Sequence, residues 1–163
     1  MLNIFVPQPH GLVRSESADA TIVPDTAVWV DLLEPTIAEE KLIESQLGID
    51  VPTREEMKEI EASNRLYEDN GALYMTATVA AKFDTDHPVS TAVTFILKGN
   101  KLVTNRYLDT KPFKQFVGYA QTHPTACQNG VAILAGIMEA VTERIARTAL
   151  TAALDVSSAS GNR

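Results

Sequence analysis

The first thirty-odd positions alternate short β-rich runs (LNIFV, GLVRSE, AVWVDLL) with Pro and Gly breaks, which predicts two or three strands separated by turns. The grammar then changes. Pro35–Thr36 followed by Glu39, and Pro52–Thr53 followed by Glu56, each put a Thr three residues before a Glu. In that pattern the hydroxyl and the carboxylate can close a capping box, so helices are predicted over about 36–47 and 53–62. Gly48 ends the first, where a left-handed residue costs glycine least. In the second, Met57 and Ile60 supply an apolar stripe, and Glu55 and Glu59 stand i,i+4 on another face.

Asn70–Gly71 separates two strand-like runs, 65–69 and 72–80, and Gly99–Asn100 separates 89–97 from 101–107. Both dipeptides accept the positive φ of a tight turn, so two hairpins and four adjacent strands are predicted. A short helix follows near 111–120. Beyond Pro124 a longer helix starts near Asn129, with Leu134, Ile137, Met138, Val141, Ile145 and Leu150 at helical spacing and Glu139, Glu143 and Arg147 in a polar row. The tail SSASGNR is small and polar and reads as a linker, which gives one domain over 1–156 and a linker or chain end over 157–163.

Composition narrows the function classes. The chain has 163 residues, 45% hydrophobic and 21% charged, enough for one core. The longest apolar run of any weight, VAILAGIM at 131–138, is far short of the roughly 20 residues a membrane span needs. The start, MLNIFVPQPH, does not read as a secretory signal, and the single Cys127 agrees with a reducing compartment, so a cytoplasmic location is expected. A formal charge of −7 disfavours nucleic acid as a partner, because affinity for phosphate chains comes mainly from Lys and Arg. Between Glu34 and Glu61 stand nine carboxylates against Lys41, Arg54 and Lys58. Such a segment attracts cations, and it equally serves as a solvated helix face.

Catalytic chemistry is not written in the chain. It lacks G-x-G-x-x-G, G-x-x-x-x-G-K-[ST] and G-x-S-x-G, so neither a phosphate cradle nor a nucleophile elbow is expected, and the protein reads as a non-enzyme. His123 and Cys127 lie four apart with Pro124 between them, which suits a loop His and a buried Cys better than a zinc site. Asp84, Asp86 and His87 sit in DTDHP, where turn duty is the simpler role.

The stretch from Trp29 to Val79 resembles the N-terminal cytoplasmic domain of the CorA family of magnesium and divalent-cation transporters. The resemblance rests on features in fixed order: the Trp29–Val30–Asp31 strand end, the helix ending in Leu47–Gly48–Ile49, the Pro52-Thr-Arg-Glu-Glu-Met57 helix start, and Arg65–Leu66–Tyr67 before a hairpin. It continues more weakly through TAVTFILKGNKLVTNR and into ILAGIMEAVTERIA.

The resemblance implies an α/β fold, an α/β/α layered domain with a mixed sheet containing hairpins. It also implies a regulatory and assembly role at the cytoplasmic face of the plasma membrane. The partners would be further copies in a homopentamer, divalent cations, and the membrane through a stalk helix and transmembrane helices that these residues do not include. Magnesium, bound weakly, is the implied regulatory ion, with cobalt, nickel or zinc as other candidates. Carried over by position, the metal-binding carboxylates are Glu56, with Glu55 beside it, and Glu139. Read without the resemblance, Glu55 and Glu56 are first-turn acids of a capped helix. The rival to a transporter domain is a stand-alone acidic binding module of the same fold.

Overall fold

The computed structural model describes residues 1–15, 22–58, 61, 65–82 and 89–160, the last six as backbone. Seven strands form one sheet in the order β2-β1-β3-β7-β6-β5-β4. They are β1 Leu2–Gln8, β2 Gly11–Arg14, β3 Trp29–Leu33, β4 Leu66–Asp69, β5 Ala72–Lys82, β6 Val89–Lys98 and β7 Lys101–Arg106. Only β3 and β7 run parallel, so the sheet is mixed. The helices are α1 Ile37–Leu47, α2 Lys111–Ala120 and α3 Gly130–Ser160, with 3-10 turns at Glu56–Lys58 and Pro124–Cys127.

Alternation along the strands sorts the core into two layers. Phe5, Trp29, Phe95 and Leu102 face Phe113 and Phe116 of α2 and Ile133 and Ile137 of α3. Their sequence neighbours Ile4, Val30, Ile96 and Val103 face Ile43 of α1 and the following Ile49 and Val51. Fully burying one such side chain contributes about 1.5–3 kcal/mol, so a strand slipped by one residue would lose both layers together.

Both expected hairpins are present. Asn70 and Gly71 have φ of 48° and 70°, joining Asp69 to Ala72, and Gly99 has φ 57°, joining Lys98 to Lys101. The α1 capping box forms as the sequence predicts: Glu39 N–H donates to Thr36 Oγ1 at 3.3 Å and Thr36 N–H donates to Glu39 Oε2 at 2.8 Å. Gly48 closes α1 in the left-handed region.

Three expectations need correction or limits. Of the helix predicted over 53–62, the described residues show a 3-10 turn at Glu56–Lys58, held by Met57 N–H to the Thr53 carbonyl at 3.0 Å and Lys58 N–H to the Glu55 carbonyl at 3.1 Å, while residues 59, 60 and 62 lie outside the described residues. Met57 is buried within that turn, and β4 begins at Leu66. Glu59 and Ile60, with the DTDHP segment, lie outside the described residues. At the other end, α3 runs through Ser160, past Ser157 where a linker is expected. Its predicted stripe also divides: Ile137 and Val141 are buried, but Ile145 and Leu150 are exposed. Ile133, which the stripe omits, is fully buried.

Candidate divalent-cation site

Glu56 sits at the third position of its turn. Thr53 donates to Glu56 Oε2 from both its N–H and its hydroxyl, each at 2.8 Å, and Glu56 N–H donates back to the Thr53 hydroxyl at 3.3 Å. These bonds favour the ionised form and lower the Glu56 pKa, the Thr53 N–H contributing most. The box occupies Oε2 alone, so Oε1 has no partner among the described residues. Glu55 is taken up differently, receiving the Lys58 ammonium at 2.9 and 3.0 Å. Both of those side chains are well exposed, so that pair is weak and screened.

The neighbouring acids come from three elements. Glu44 Oε1 accepts from Val51 N–H at 3.0 Å, and Asp50 N–H donates to the Tyr74 hydroxyl at 2.9 Å. The Asp50 carboxyl is pushed up in pKa by burial first and then by Glu44, Glu56 and Asp69. Carboxylates that the sequence shows only as a run of acid therefore share one local field. Among the described residues, however, no three His, Cys, Asp or Glu side chains are placed to hold an ion.

Glu139 lies elsewhere. It lines a cleft of about 300 Å³ between α2 and α3 with Gln115, Phe116, Tyr119 and Glu143. The 3-10 turn packs on the α1 face, where the buried Asn105 side chain donates to the Pro52 carbonyl at 2.8 Å and contacts Met57 Sδ at 3.6 Å. The structure thus brings Glu55 and Glu56 together and sets Glu139 on the opposite face of the sheet.

One polar cluster escapes a reading of the sequence. Asp31 and Arg106 form a buried two-pronged pair, Nε to Oδ1 at 2.8 Å and Nη2 to Oδ2 at 2.9 Å. Thr104 donates its hydroxyl to Asp31 Oδ1 at 2.8 Å and accepts from Trp29 Nε1 at 3.0 Å, while Asn3 Nδ2 donates to Asp31 Oδ2 at 3.2 Å. Arg106 also reaches Asp109 at 3.1 Å and lies 4.4 Å from the Phe113 ring centroid. The available signal was the lone Asp inside WVDLL, since a carboxylate in a wholly buried strand demands a partner.

The chain matches the family model for "CorA-like Mg2+ transporter protein" over residues 24–156. It is 34% identical over 146 residues to the magnesium transport protein CorA of Wolinella succinogenes, covering 85% of this chain and 45% of that one. To its counterpart in Salmonella typhimurium it is 30% identical over 146 residues, covering 90% and 46%. The chain therefore spans about half the length of the curated relatives it matches. Among solved structures, the complete CorA magnesium transporter of Methanocaldococcus jannaschii superposes with a TM-score of 0.73 at 15% identity, over 97% of this chain and 49% of that one. The soluble domain of CorA from the same organism gives 0.70 at 15% identity, over 97% and 62%. These two likenesses show the fold. No helix among the described residues is long and apolar enough to cross a membrane.

Proposed function

The chain belongs to the CorA family of magnesium transport proteins, and from that premise we propose that it is a regulatory and assembly domain, lying at the cytoplasmic face of the membrane and sensing divalent cation for a transporter. The relatives are named as magnesium transport proteins, which favours magnesium as the ion and transport as the activity of the whole protein. Cobalt, nickel and zinc are the other candidates.

The observation that carries this reading is the placement of the carboxylates. Glu56 Oε1 has no partner among the described residues and lies beside Glu55 on one face of the sheet, and Glu139 stands on the other face. Acids so separated cannot close on one ion within a chain. Each face can meet a neighbouring copy, so that a magnesium ion, which retains several waters and takes few protein oxygens, is held between subunits of a homopentamer. Loss of the ion would remove a cross-link between subunits, which is how falling magnesium would release a closed state.

Magnesium titration of the 163-residue chain tests this. A half-site of exposed carboxylates gains little Coulomb energy in water, so the expected dissociation constant is in the millimolar range. Micromolar binding by a monomer would contradict an intersubunit site. Sedimentation at micromolar concentration should accompany it, with a monomeric or weakly associated chain expected and a stable pentamer showing that this domain assembles unaided.

A stand-alone acidic module is the second reading, favoured by the acid shared among Glu44, Asp50, Glu56 and Asp69. It predicts cation binding by the monomer at the same affinity in any assembly.

A further inference from the structure

β6 outruns β7. Its pairing with β7 begins at Val93–Arg106, whereas its pairing with β5 extends back to Val89. The Arg106 carbonyl accepts from Glu34 N–H at 2.8 Å, on the β3 side. The Val93–Arg106 pair is therefore a non-hydrogen-bonded pair, and one residue along, Ala92 turns its main-chain N–H and C=O toward the line of β7, as does Ser90 two further on. β7 ends at Arg106, so the Ser90 and Ala92 N–H groups have no strand partner among the described residues. The Ala92 carbonyl is met by the Thr91 hydroxyl at 3.4 Å, but neither amide has a partner among the described residues.

This short open edge forms one wall of a cleft of about 200 Å³ whose other walls are Arg54, Met57, Lys58 and Tyr107. The Arg54 guanidinium lies 5.2 Å from the Tyr107 ring centroid. That ring is itself fixed, since its hydroxyl donates to Glu40 Oε1 at 3.3 Å. Arg54 thus lies against a ring face, and its N–H groups have no partner among the described residues. Lys58 is shared with Glu55 through a well-exposed pair, and the hydroxyls of Ser90 and Thr91 complete the lining. In a chain of formal charge −7, the described residues that line this cleft supply donors and cations and no carboxylate.

The geometry points to a binding site for a small oxyanion, a phosphate or carboxylate group, seated against the Ser90 and Ala92 amides and clamped by Arg54. Main-chain N–H groups of an unpaired edge supply fixed partial charge, and a guanidinium adds two-pronged recognition of planar or tetrahedral oxygens. The volume suits a phosphate or a small organic acid and is too small for a nucleotide. The site is independent of the metal reading, because none of its lining residues is a proposed metal ligand.

Amide-resolved NMR on the whole chain tests it, with inorganic phosphate in one titration, acetate in a second and chloride in a third, all at constant ionic strength. Saturable shifts of the Ser90 and Ala92 amides in the millimolar range are expected with phosphate or acetate, and the tighter of the two names the head group. Chloride should give no saturation. Arg54→Gln, an exposed change that leaves the core intact, should weaken binding at least tenfold. The proposal is overturned if neither oxyanion saturates those amides, if chloride saturates them equally, or if the affinity is the same in Arg54→Gln.

Discussion

Asp31 on β3 and Arg106 on β7 meet through two hydrogen bonds of 2.8 and 2.9 Å, with both side chains almost wholly buried. Parallel pairing sets Asp31 opposite Thr104 and places Arg106 two residues further on the same face. Burial alone would lower the Arg106 pKa, but Asp31 and then Asp109 outweigh it, and the net direction is upward. Removing one partner strands the other charge in the core. Arg106→Met should therefore cost roughly 3–5 kcal/mol in urea unfolding, and Asp31→Asn with Arg106→Met should cost clearly less than the two single changes added. Additive losses would mean that the pair is not coupled.

Gly136 marks the crossing of α2 and α3, because a methyl group there would overlap the Phe116 ring. Gly136→Ala gains helix propensity of about 1 kcal/mol yet overpacks the crossing by about 1–3 kcal/mol, so a net loss is expected. Phe116→Leu in the same chain should recover part of it. Thermal unfolding of the parent and the two variants decides the matter, and a stabilised single variant would show that the crossing yields freely.

Asp50 offers a pH-dependent prediction. Its folded pKa is raised, so the folded state binds the proton more tightly than the unfolded chain, and stability falls as pH rises from the ordinary carboxylate range through the folded value. Asp50→Asn removes that penalty while keeping the Asp50 N–H bond to Tyr74. The variant should be more stable by roughly 0.5 kcal/mol at pH 7, the scale of an exposed charge interaction. Acid pH should erase the gain, and added salt should reduce only the part due to the neighbouring carboxylates. A variant equally stable at pH 7 would remove Asp50 from the acidic field.

Much of the fold was legible because local chemistry and global pairing agree. Asn70–Gly71 and Gly99–Asn100 supply their own turn conformations, and Thr36 with Glu39 caps α1 without help from elsewhere. What escaped depends on distant contacts. The burial of Met57 after Thr53 depends on its contact with Asn105 on β7, 48 residues away. Asp31 could be flagged as a carboxylate in an apolar strand, yet its partner stands 75 residues away and is chosen by the β3–β7 register. The candidate acids were readable one by one; their separation across the sheet was not, because it follows from which face α3 covers.

The proposed metal-sensing account is tested most directly in a full-length protein that contains this chain, by assaying magnesium transport into vesicles at low and high internal magnesium. Glu56→Gln keeps the capping geometry, since Gln also serves at that position, while removing the charge an ion requires. The account predicts that Glu56→Gln, and more so Glu55→Gln with Glu56→Gln, makes transport less sensitive to internal magnesium with folding unchanged. Inhibition identical to the parent in both variants would contradict it and leave Glu56 as the cap of its turn and Glu55 as the partner of Lys58.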